Sequence, residues 1–270
     1  MPLRFSRTPR LVKLLLVSVL TLPLVLPVNF VLINPGEGNP LFPKLLNITS
    51  TPKSPVTTYP VDGQMYLLSI WVTNPETEIL GYRVLKCWAE KDCVVVPRSV
   101  VYKPETNDKA EIAIGKREMA KSQSTALIAT KKLLAKYHPG IDLSQMTDQS
   151  IKIALKNTGG PSGGLIFSLG LTELLTPENI LRGRKIAATG TISAEGKVGA
   201  IGGVEEKITA ARKTGTEIIF VSRENCDEIP EKVEGLQVIA VSSLEEAYKS
   251  LINSQDSNFQ GVKGCTNLDS

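Results

Sequence analysis

Histidine and cysteine, which supply most zinc ligands in proteins, are scarce in this sequence. His138 is the only histidine among the 270 residues, and the four cysteines include no Cys-x-x-Cys pair. Because Cys/His metal sites need several such ligands at close spacing, the composition argues against a metal centre. We expect neither a metal nor a cofactor.

A nucleotide-binding loop is also missing. No glycine-rich run is followed by Gly-Lys-Ser/Thr, and the segment "GTISAEGKV" has glycines spaced too far apart, with Val198 where a hydroxyl is needed. The net charge is only +4, and part of it comes from the cations in residues 1–13. We therefore expect neither ATP nor nucleic acid as a partner.

An uncharged apolar run follows the basic flank of residues 1–13. Residues 14–33, "LLLVSVLTLPLVLPVNFVLI", are long enough to cross a bilayer as a helix, and flanking cations are typical of the cytoplasmic side. The sequence predicts a single transmembrane helix, with a cytoplasmic N-terminus and the rest of the chain outside the cytoplasm. A cleaved signal peptide fits a similar pattern but lacks its cleavage site here, and a buried core helix fits it poorly.

The segment after the apolar run is rich in proline. Residues 34–54 therefore predict a stiff, extended stalk. Cysteines in an exported region can be oxidised. Cys87 and Cys93 bracket "WAEKD" between two strand-like runs, which predicts a hairpin and leaves a disulfide open, while Cys226 and Cys265 are a weaker pair.

Residues 55–252 alternate strand and helix signals, which predicts a mixed α/β (α+β) domain. The predicted strands are "QMYLLSIWV", "SIKIAL", "KIAATGTI", "EIIFVS" and "QVIAVS", and the predicted helices are "EMAKSQSTALIATKKLLAKYHPG", "LIFSLGLTELL" and "VEEKITAARKTG". A last helix is expected to begin at Ser242, with Glu245 completing a capping box. Residues 253–270 predict a frayed polar tail.

One serine stands among glycines where a predicted strand turns into a helix, in "TGGPSGGL" at residues 158–165. The unpaired N–H groups of a helix N-terminus suit an anion or a developing oxyanion, and the flanking glycines leave room for another backbone. Ser162 is thus a candidate nucleophile. The alternative is a tight turn in which Ser162 caps the helix.

A nucleophilic serine needs a base, and the sequence offers two candidates. His138 ends a helix beside Pro-Gly, where the simpler role is a helix-end cation. Lys207 lies on the apolar stripe formed by Val204, Ile208 and Ala211, so burial would lower its pKa and favour the neutral amine. The alternative is a lysine that snorkels from the edge of the stripe.

The segments "GGPSGGL" and "TGTISAEGKVGAIGGVEEKITAARKTGTEIIFVSREN" resemble the proteolytic domain of the Lon peptidases, and the match extends loosely over residues 60–252. The resemblance implies a Ser-Lys dyad of Ser162 and Lys207, with oxyanion support from Gly163 and with Thr189 beside the lysine. The apolar run also makes the chain similar to bacterial membrane-tethered Lon-like proteases. Gly159 departs from the aspartate usual in long Lon proteins, and neither an ATPase nor a PDZ module is recognisable.

The resulting expectation is a membrane-anchored, ATP-independent serine endopeptidase that acts on polypeptide substrates. The alternative is a membrane-tethered interaction module that keeps the fold with little or no turnover. A homo-oligomer is compatible with the sequence.

Overall fold

The computed structural model describes residues 9–49, 56–90, 92–154, 158–230, 233–253 and 261–265. The α-helices in these ranges are α1 (Arg10–Val25), α2 (Gly81–Ala89), α3 (Arg98–Val101), α4 (Asp108–Tyr137), α5 (Gly164–Leu175), α6 (Val204–Lys213) and α7 (Leu244–Asn253). The strands are β1 (Pro27–Val28), β2 (Phe30–Pro40), β3 (Leu46–Ile48), β4 (Gln64–Val72), β5 (Ile79–Leu80), β6 (Val94–Pro97), β7 (Ile151–Ile153), β8 (Lys185–Ala188), β9 (Thr191–Ile192), β10 (Val198–Gly199), β11 (Ile218–Ser222), β12 (Gln237–Val241) and β13 (Gly261–Lys263). Short 3-10 helices cover Asp148–Ser150 and Arg223–Glu228.

The chain forms two compact units. The smaller unit takes residues 1–34 and 71–108, and the larger takes residues 35–70 and 109–270. The boundary therefore falls inside β2 and inside β4. The mixed α/β class predicted from the sequence is confirmed, but the predicted domain limits of 55–252 differ from this division.

The smaller unit contains two antiparallel strand pairs. β1 pairs with β5, and the first residues of β2 pair with β6. Its buried core is small and consists of Leu32, Ile79, Val84 and Cys87. Helix α1 contributes no buried residue, and Leu11 is 79% exposed. A surface of this kind is unusual, because soluble proteins rarely expose large continuous apolar patches.

The larger unit is built on a parallel sheet in the order β13-β12-β11-β8-β4. Side chains alternate across a strand, so β11 sends Phe220 to one face and Ile219 to the other. Phe220 joins the core formed with α4, α5 and α7, and Ile219 joins the core under α6. Helices thus cover both faces of the sheet, and its strands are correspondingly apolar.

The predicted helix over residues 14–33 is wrong. Helix α1 ends at Val25, and Leu26 is already extended because it precedes Pro27, whose ring disfavours helical backbone at the residue before it. The chain then continues as β1 and β2. In the described residues, no helix combines the length and the apolar character that crossing a bilayer requires.

The predicted stalk over residues 34–54 is also wrong as far as residue 49. This segment completes β2 and forms β3, which pairs with β7. Leu41 and Leu46 are fully buried, and both lie against Gly170 of α5, where a Cβ would meet Leu41 at 2.4 Å. The apolar residues between the prolines are therefore core residues. Residues 50–55 lie outside the described part.

The two cysteine pairs form disulfides, Cys87–Cys93 and Cys226–Cys265. The first does not staple a hairpin as predicted, since the segment before it is the helix α2. The second ties the chain beyond β13 to the 3-10 helix Arg223–Glu228. The predicted frayed tail over 253–270 is thus wrong for residues 261–265, because β13 pairs with β12.

The predicted strands and helices of the larger unit are largely confirmed. Strand β4 covers the predicted segment, and α4 begins at Asp108, upstream of the predicted Glu118. The predicted capping box of Ser242 and Glu245 is wrong: α7 begins at Leu244, Glu246 N–H donates to Ser243 Oγ, and Ser242 N–H donates to the Glu246 carboxylate.

Candidate active site

Ser162 lies in the turn that leads into α5. The helix N-cap is Gly163, and no side chain caps this helix. The Ser162 hydroxyl has no hydrogen-bond partner among the described residues, so the alternative reading of Ser162 as a helix cap is wrong. The serine is partly exposed, whereas the glycines after it are buried. Its hydroxyl is therefore free for chemistry.

Helix α4 holds the chain just before the serine. Ser122 Oγ donates to the Pro161 carbonyl at 3.0 Å, and Gly160 N–H donates to the Gly115 carbonyl at 2.9 Å. A Cβ at Gly159 would lie 2.9 Å from the Gly115 backbone, so this crossing has no room for a side chain. This close approach leaves no room for an aspartate side chain at position 159.

The segment after β8 holds the serine from the other side. Gly190 N–H donates to the Ser162 carbonyl at 3.0 Å, and Leu165 N–H donates to the Gly190 carbonyl at 3.1 Å. Thr189 is 1% exposed, and its hydroxyl also reaches the Ser162 carbonyl, at 3.5 Å. These contacts split the predicted strand 185–192 into β8 and β9, because Gly190 pairs with the serine turn.

Two backbone donors at this turn are left unused. The N–H groups of Ser162 and Gly163 donate to no other described residue. A Cβ at Gly163 would meet the Phe167 ring at 2.7 Å, and one at Gly164 would meet Ile192 at 2.7 Å. The glycines therefore let the turn pack tightly while its donors remain open.

Lys207 lies on α6 and is 3% exposed, beside the buried residues Val204, Ile208 and Ala211. Its ammonium has no hydrogen-bond or ion-pair partner in the described part of the chain. Burial lowers the pKa of Lys207 to about 8, and the carboxylates of Glu206 and Glu228 act in the opposite direction. The snorkelling alternative is wrong.

The other charged residues of α6 differ in their exposure. Lys213 is exposed, whereas Glu206 is buried beside Lys207. Burial raises the pKa of Glu206, because a buried carboxylate loses its hydration.

The loop before α6 is fixed by Asn225, a residue that sequence reasoning missed. Asn225 Nδ2 donates to the Ile201 carbonyl at 2.8 Å and to Glu228 Oε1 at 2.8 Å, and Ile201 N–H donates to Asn225 Oδ1 at 3.0 Å. Asn225 thus fixes both the approach to α6 and a carboxylate that acts on Lys207. Its position just after the buried strand β11 was the available signal.

The topology brings the serine and lysine elements to one edge of the sheet. Ser162 is bonded to Thr189 and Gly190, which follow the carboxyl end of β8. Gly203, the N-cap of α6, packs against Ile70 near the carboxyl end of β4, the parallel neighbour of β8. No hydrogen bond joins Ser162 Oγ to Lys207 Nζ in this structure.

His138 has other partners. Its Nε2 lies 2.8 Å from Tyr248 Oη and 3.5 Å from Glu178. The ring is largely buried, so it is not the exposed helix-end cation expected from the sequence. None of the bonds found for His138 involves the serine turn.

The described residues contain no cluster of three or more His, Cys, Asp or Glu side chains arranged to hold a metal. All four cysteines are in disulfides, so none is a free thiol.

Comparison with known proteins gives a consistent result. The model of the family described as Lon protease (S16) C-terminal proteolytic domain matches residues 115–254, which is more than half of the chain. The chain is 32% identical over 120 residues to the Lon protease of Aster yellows witches'-broom phytoplasma, covering 42% of this chain and 15% of that protein. It is 34% identical over 115 residues to the Lon protease of Acinetobacter baumannii, covering 40% and 14%.

A third similar protein is the Lon protease of Mycoplasma pneumoniae, 32% identical over 146 residues, or 51% of this chain and 18% of that protein. The matched segments thus span less than a fifth of the length of these relatives. The family match over residues 115–254 includes the serine turn and α6.

Proposed function

The chain belongs to the family of Lon protease (S16) C-terminal proteolytic domains, and on that premise we propose that it is a serine endopeptidase that uses a Ser162–Lys207 dyad. The observation that carries the proposal is that Lys207 is 3% exposed and that its ammonium makes no hydrogen bond or ion pair with a described residue. Burial lowers the pKa of Lys207 to about 8 against the opposing effect of the Glu206 and Glu228 carboxylates, which supplies the neutral amine that a general base must be.

In the proposed reaction, the neutral Lys207 amine takes the proton of the Ser162 hydroxyl while Oγ bonds to a peptide carbonyl carbon. The carbonyl oxygen becomes an oxyanion and accepts hydrogen bonds from the N–H groups of Ser162 and Gly163. The Lys207 ammonium then donates its proton to the leaving amine as the C–N bond breaks. Water, deprotonated by Lys207, hydrolyses the resulting ester.

Thr189 has a supporting part in this scheme. Its hydroxyl donates to the Ser162 carbonyl, so its acceptor lone pairs remain available to the ammonium that forms during the reaction. In this scheme the hydrogen bond between Ser162 Oγ and Lys207 Nζ forms when substrate binds. Catalytic hydrogen bonds are often long in the absence of substrate and shorten in the complex.

We further propose that polypeptides are the substrates and that ATP is not required. The basis is the sequence, which lacks a Gly-Lys-Ser/Thr nucleotide loop. ATP added to the purified chain should leave the cleavage rate of an unfolded polypeptide unchanged, and clear stimulation would contradict the proposal.

The location of the chain is a separate proposal. We propose that α1 attaches the chain to a membrane and that the larger unit, which contains Ser162 and Lys207, lies outside the cytoplasm. The exposed apolar side chains of α1 and the 67% exposed Trp88 of α2 are suited to a membrane interface. The two disulfides favour an oxidising compartment. Retention in the membrane pellet after alkaline washing, with degradation by protease added to spheroplasts, would be the expected result.

A second candidate function is an interaction module with little turnover, favoured by the absence of a hydrogen bond between Ser162 and Lys207. One experiment separates the two. The full chain, Ser162→Ala, Lys207→Ala and Arg212→Ala are incubated with a fluorescently labelled unfolded polypeptide. Arg212 is an exposed cation on the same helix as Lys207. We expect cleavage by the wild type and Arg212→Ala only; no cleavage by the wild type would favour the interaction module.

A further inference from the structure

The Ser162 N–H and the Gly163 N–H each share a peptide group with a carbonyl that accepts a hydrogen bond from another element. Ser122 Oγ holds the Pro161 carbonyl at 3.0 Å, and Gly190 N–H holds the Ser162 carbonyl at 3.0 Å. We propose that Ser122 is a positioning residue, which aims the Ser162 N–H at the oxyanion by fixing the peptide between Pro161 and Ser162. This inference rests on the proposed serine peptidase function.

The argument begins with the planarity of the peptide group. The Pro161 carbonyl and the Ser162 N–H belong to one trans peptide, so they point in opposite directions. A hydrogen bond that pulls the carbonyl towards α4 therefore turns the N–H away from α4. The Ser162 carbonyl and the Gly163 N–H are related in the same way, with Gly190 as the anchor.

Ser122 is well placed for this role. It is 5% exposed, between Met119 and Ala126 on the buried face of α4. The other donor to the Pro161 carbonyl is Gly164 N–H, at the longer distance of 3.4 Å. The Gly115 carbonyl, two helical turns before Ser122, accepts a hydrogen bond from Gly160 N–H. Helix α4 therefore contacts the serine turn through two hydrogen bonds.

The two N–H groups are hydrogen-bond donors without an acceptor among the described residues. Gly163 is a buried residue, and almost all buried backbone donors in proteins have a partner. The Ser162 and Gly163 N–H groups have none among the described residues. An oxyanion next to Ser162 Oγ would supply the missing acceptor, because donors fixed before the reaction stabilise charge that develops in it.

The test compares Ser122→Ala with Ser124→Ala in the full chain. Ser124 lies on the same helix, is partly exposed and donates to Asp148 Oδ2 at 2.7 Å instead of to the serine turn. We measure kcat and KM for a peptide substrate, the affinity for a peptide boronate that forms a tetrahedral adduct with serine, and the Tm of each variant. Substrate binding is measured separately in the Ser162→Ala background.

We expect Ser122→Ala to lower kcat by roughly ten- to a hundredfold, with KM and substrate binding unchanged. Removing an oxyanion donor completely costs more than this, and a misaligned donor keeps part of its stabilisation of the transition state. Boronate affinity should fall by a similar factor. Ser122→Thr, which keeps the hydroxyl, should retain most of the activity, and Ser124→Ala should match the wild type. These readouts also distinguish misaimed donors from a lower folded fraction, which would leave the boronate affinity of the folded protein intact.

Two outcomes would overturn the proposal. If the wild type cleaves peptides and binds the boronate, and Ser122→Ala does both equally well, Ser122 has no positioning role and the peptidase function stands. If the wild type does neither, the peptidase function fails, and this inference fails with it.

Discussion

Gly115 in α4 and Gly159 before the serine turn meet backbone to backbone, and a Cβ on Gly159 would lie 2.9 Å from Gly115 Cα. Real Cβ atoms do not approach so closely, so a side chain at position 159 would have to displace either α4 or the turn. The contact therefore fixes the distance between α4 and the serine turn.

Gly159→Ala should consequently destabilise the protein and slow cleavage. Overpacking of this kind costs about 1–3 kcal/mol, and the displaced turn would also misplace Ser162. Gly140→Ala is the matched control, because nothing lies within 4 Å of a Cβ there. Thermal unfolding and kcat should both fall for Gly159→Ala alone; an unaffected Gly159→Ala would show that the turn adapts without cost.

The dyad predicts a specific dependence of activity on pH. Because the pKa of Lys207 is lowered to about 8, the rate should rise with pH through that value as the amine loses its proton. Lys207→Arg should be inactive, since a guanidinium stays protonated. Ser162→Ala and Lys207→Ala should each abolish activity, and the double variant should be no worse than either single one. A flat profile between pH 6 and 9 would exclude Lys207 as the base.

The same buried lysine should lower stability at neutral pH. Its folded-state pKa, about 8, lies below the ordinary value of 10.5, so the unfolded chain binds the proton more tightly. Stability should therefore rise as pH increases from about 8 to 10.5, and the penalty is complete below pH 8. Lys207→Met should raise the free energy of unfolding at pH 7 by up to about 3 kcal/mol. Denaturant unfolding of Lys207→Met and Arg212→Met at pH 7 and pH 10 measures this, and a gain independent of pH would contradict it.

Glu173 in α5 should make stability change with pH in the opposite direction, so that stability falls as pH rises. Burial raises the pKa of Glu173 to about 7, and one of its carboxylate oxygens, Oε1, has no hydrogen-bond partner. The unfolded chain releases this proton more readily, so the glutamate costs stability as pH rises from about 4.5 to 7 and above. Glu173→Gln should be more stabilising at pH 8 than at pH 5, by about 1–3 kcal/mol. Glu118→Gln, an exposed change on α4, serves as the control in parallel melts.

His138 should matter for stability and not for chemistry. Its ring bonds to Tyr248, so His138→Ala removes a largely buried hydrogen bond worth about 1 kcal/mol and leaves Tyr248 with fewer partners. The rate per folded molecule should be unchanged. An inactive but folded His138→Ala, together with an active Lys207→Ala, would replace the lysine by the histidine as the base.

The sequence was most informative where a structural signal is local. β4 and α5 were predicted because alternation or an apolar helical run is complete within each segment. The run over residues 14–33 has no such periodicity, and its second half became a strand because Phe30 to Ile33 pair with residues 94–97, far along the chain. Hydrophobicity alone does not distinguish these outcomes.

The residues of the candidate site also differ in whether the local sequence indicates them. Ser162 and Lys207 could be predicted as candidates because each has a local signature, the glycine-flanked turn and the lysine on an apolar stripe. Ser122 and Asn225 were not, because their roles exist only through contacts with Pro161 and Ile201. No property of the neighbouring sequence distinguishes such a serine from other serines on the helix.

The distances along the chain between these contacts have a consequence for biosynthesis. The serine turn is held by Ser122 and Gly115 on one side and by Gly190 on the other, so its geometry exists only after α4, α5 and β8 have packed together. Contacts between distant segments form late in folding, because the intervening loops must first be closed. A nascent or partly unfolded chain therefore has Ser162 without the fixed geometry of the turn. Under the proposed mechanism, cleavage would begin only after the chain has folded.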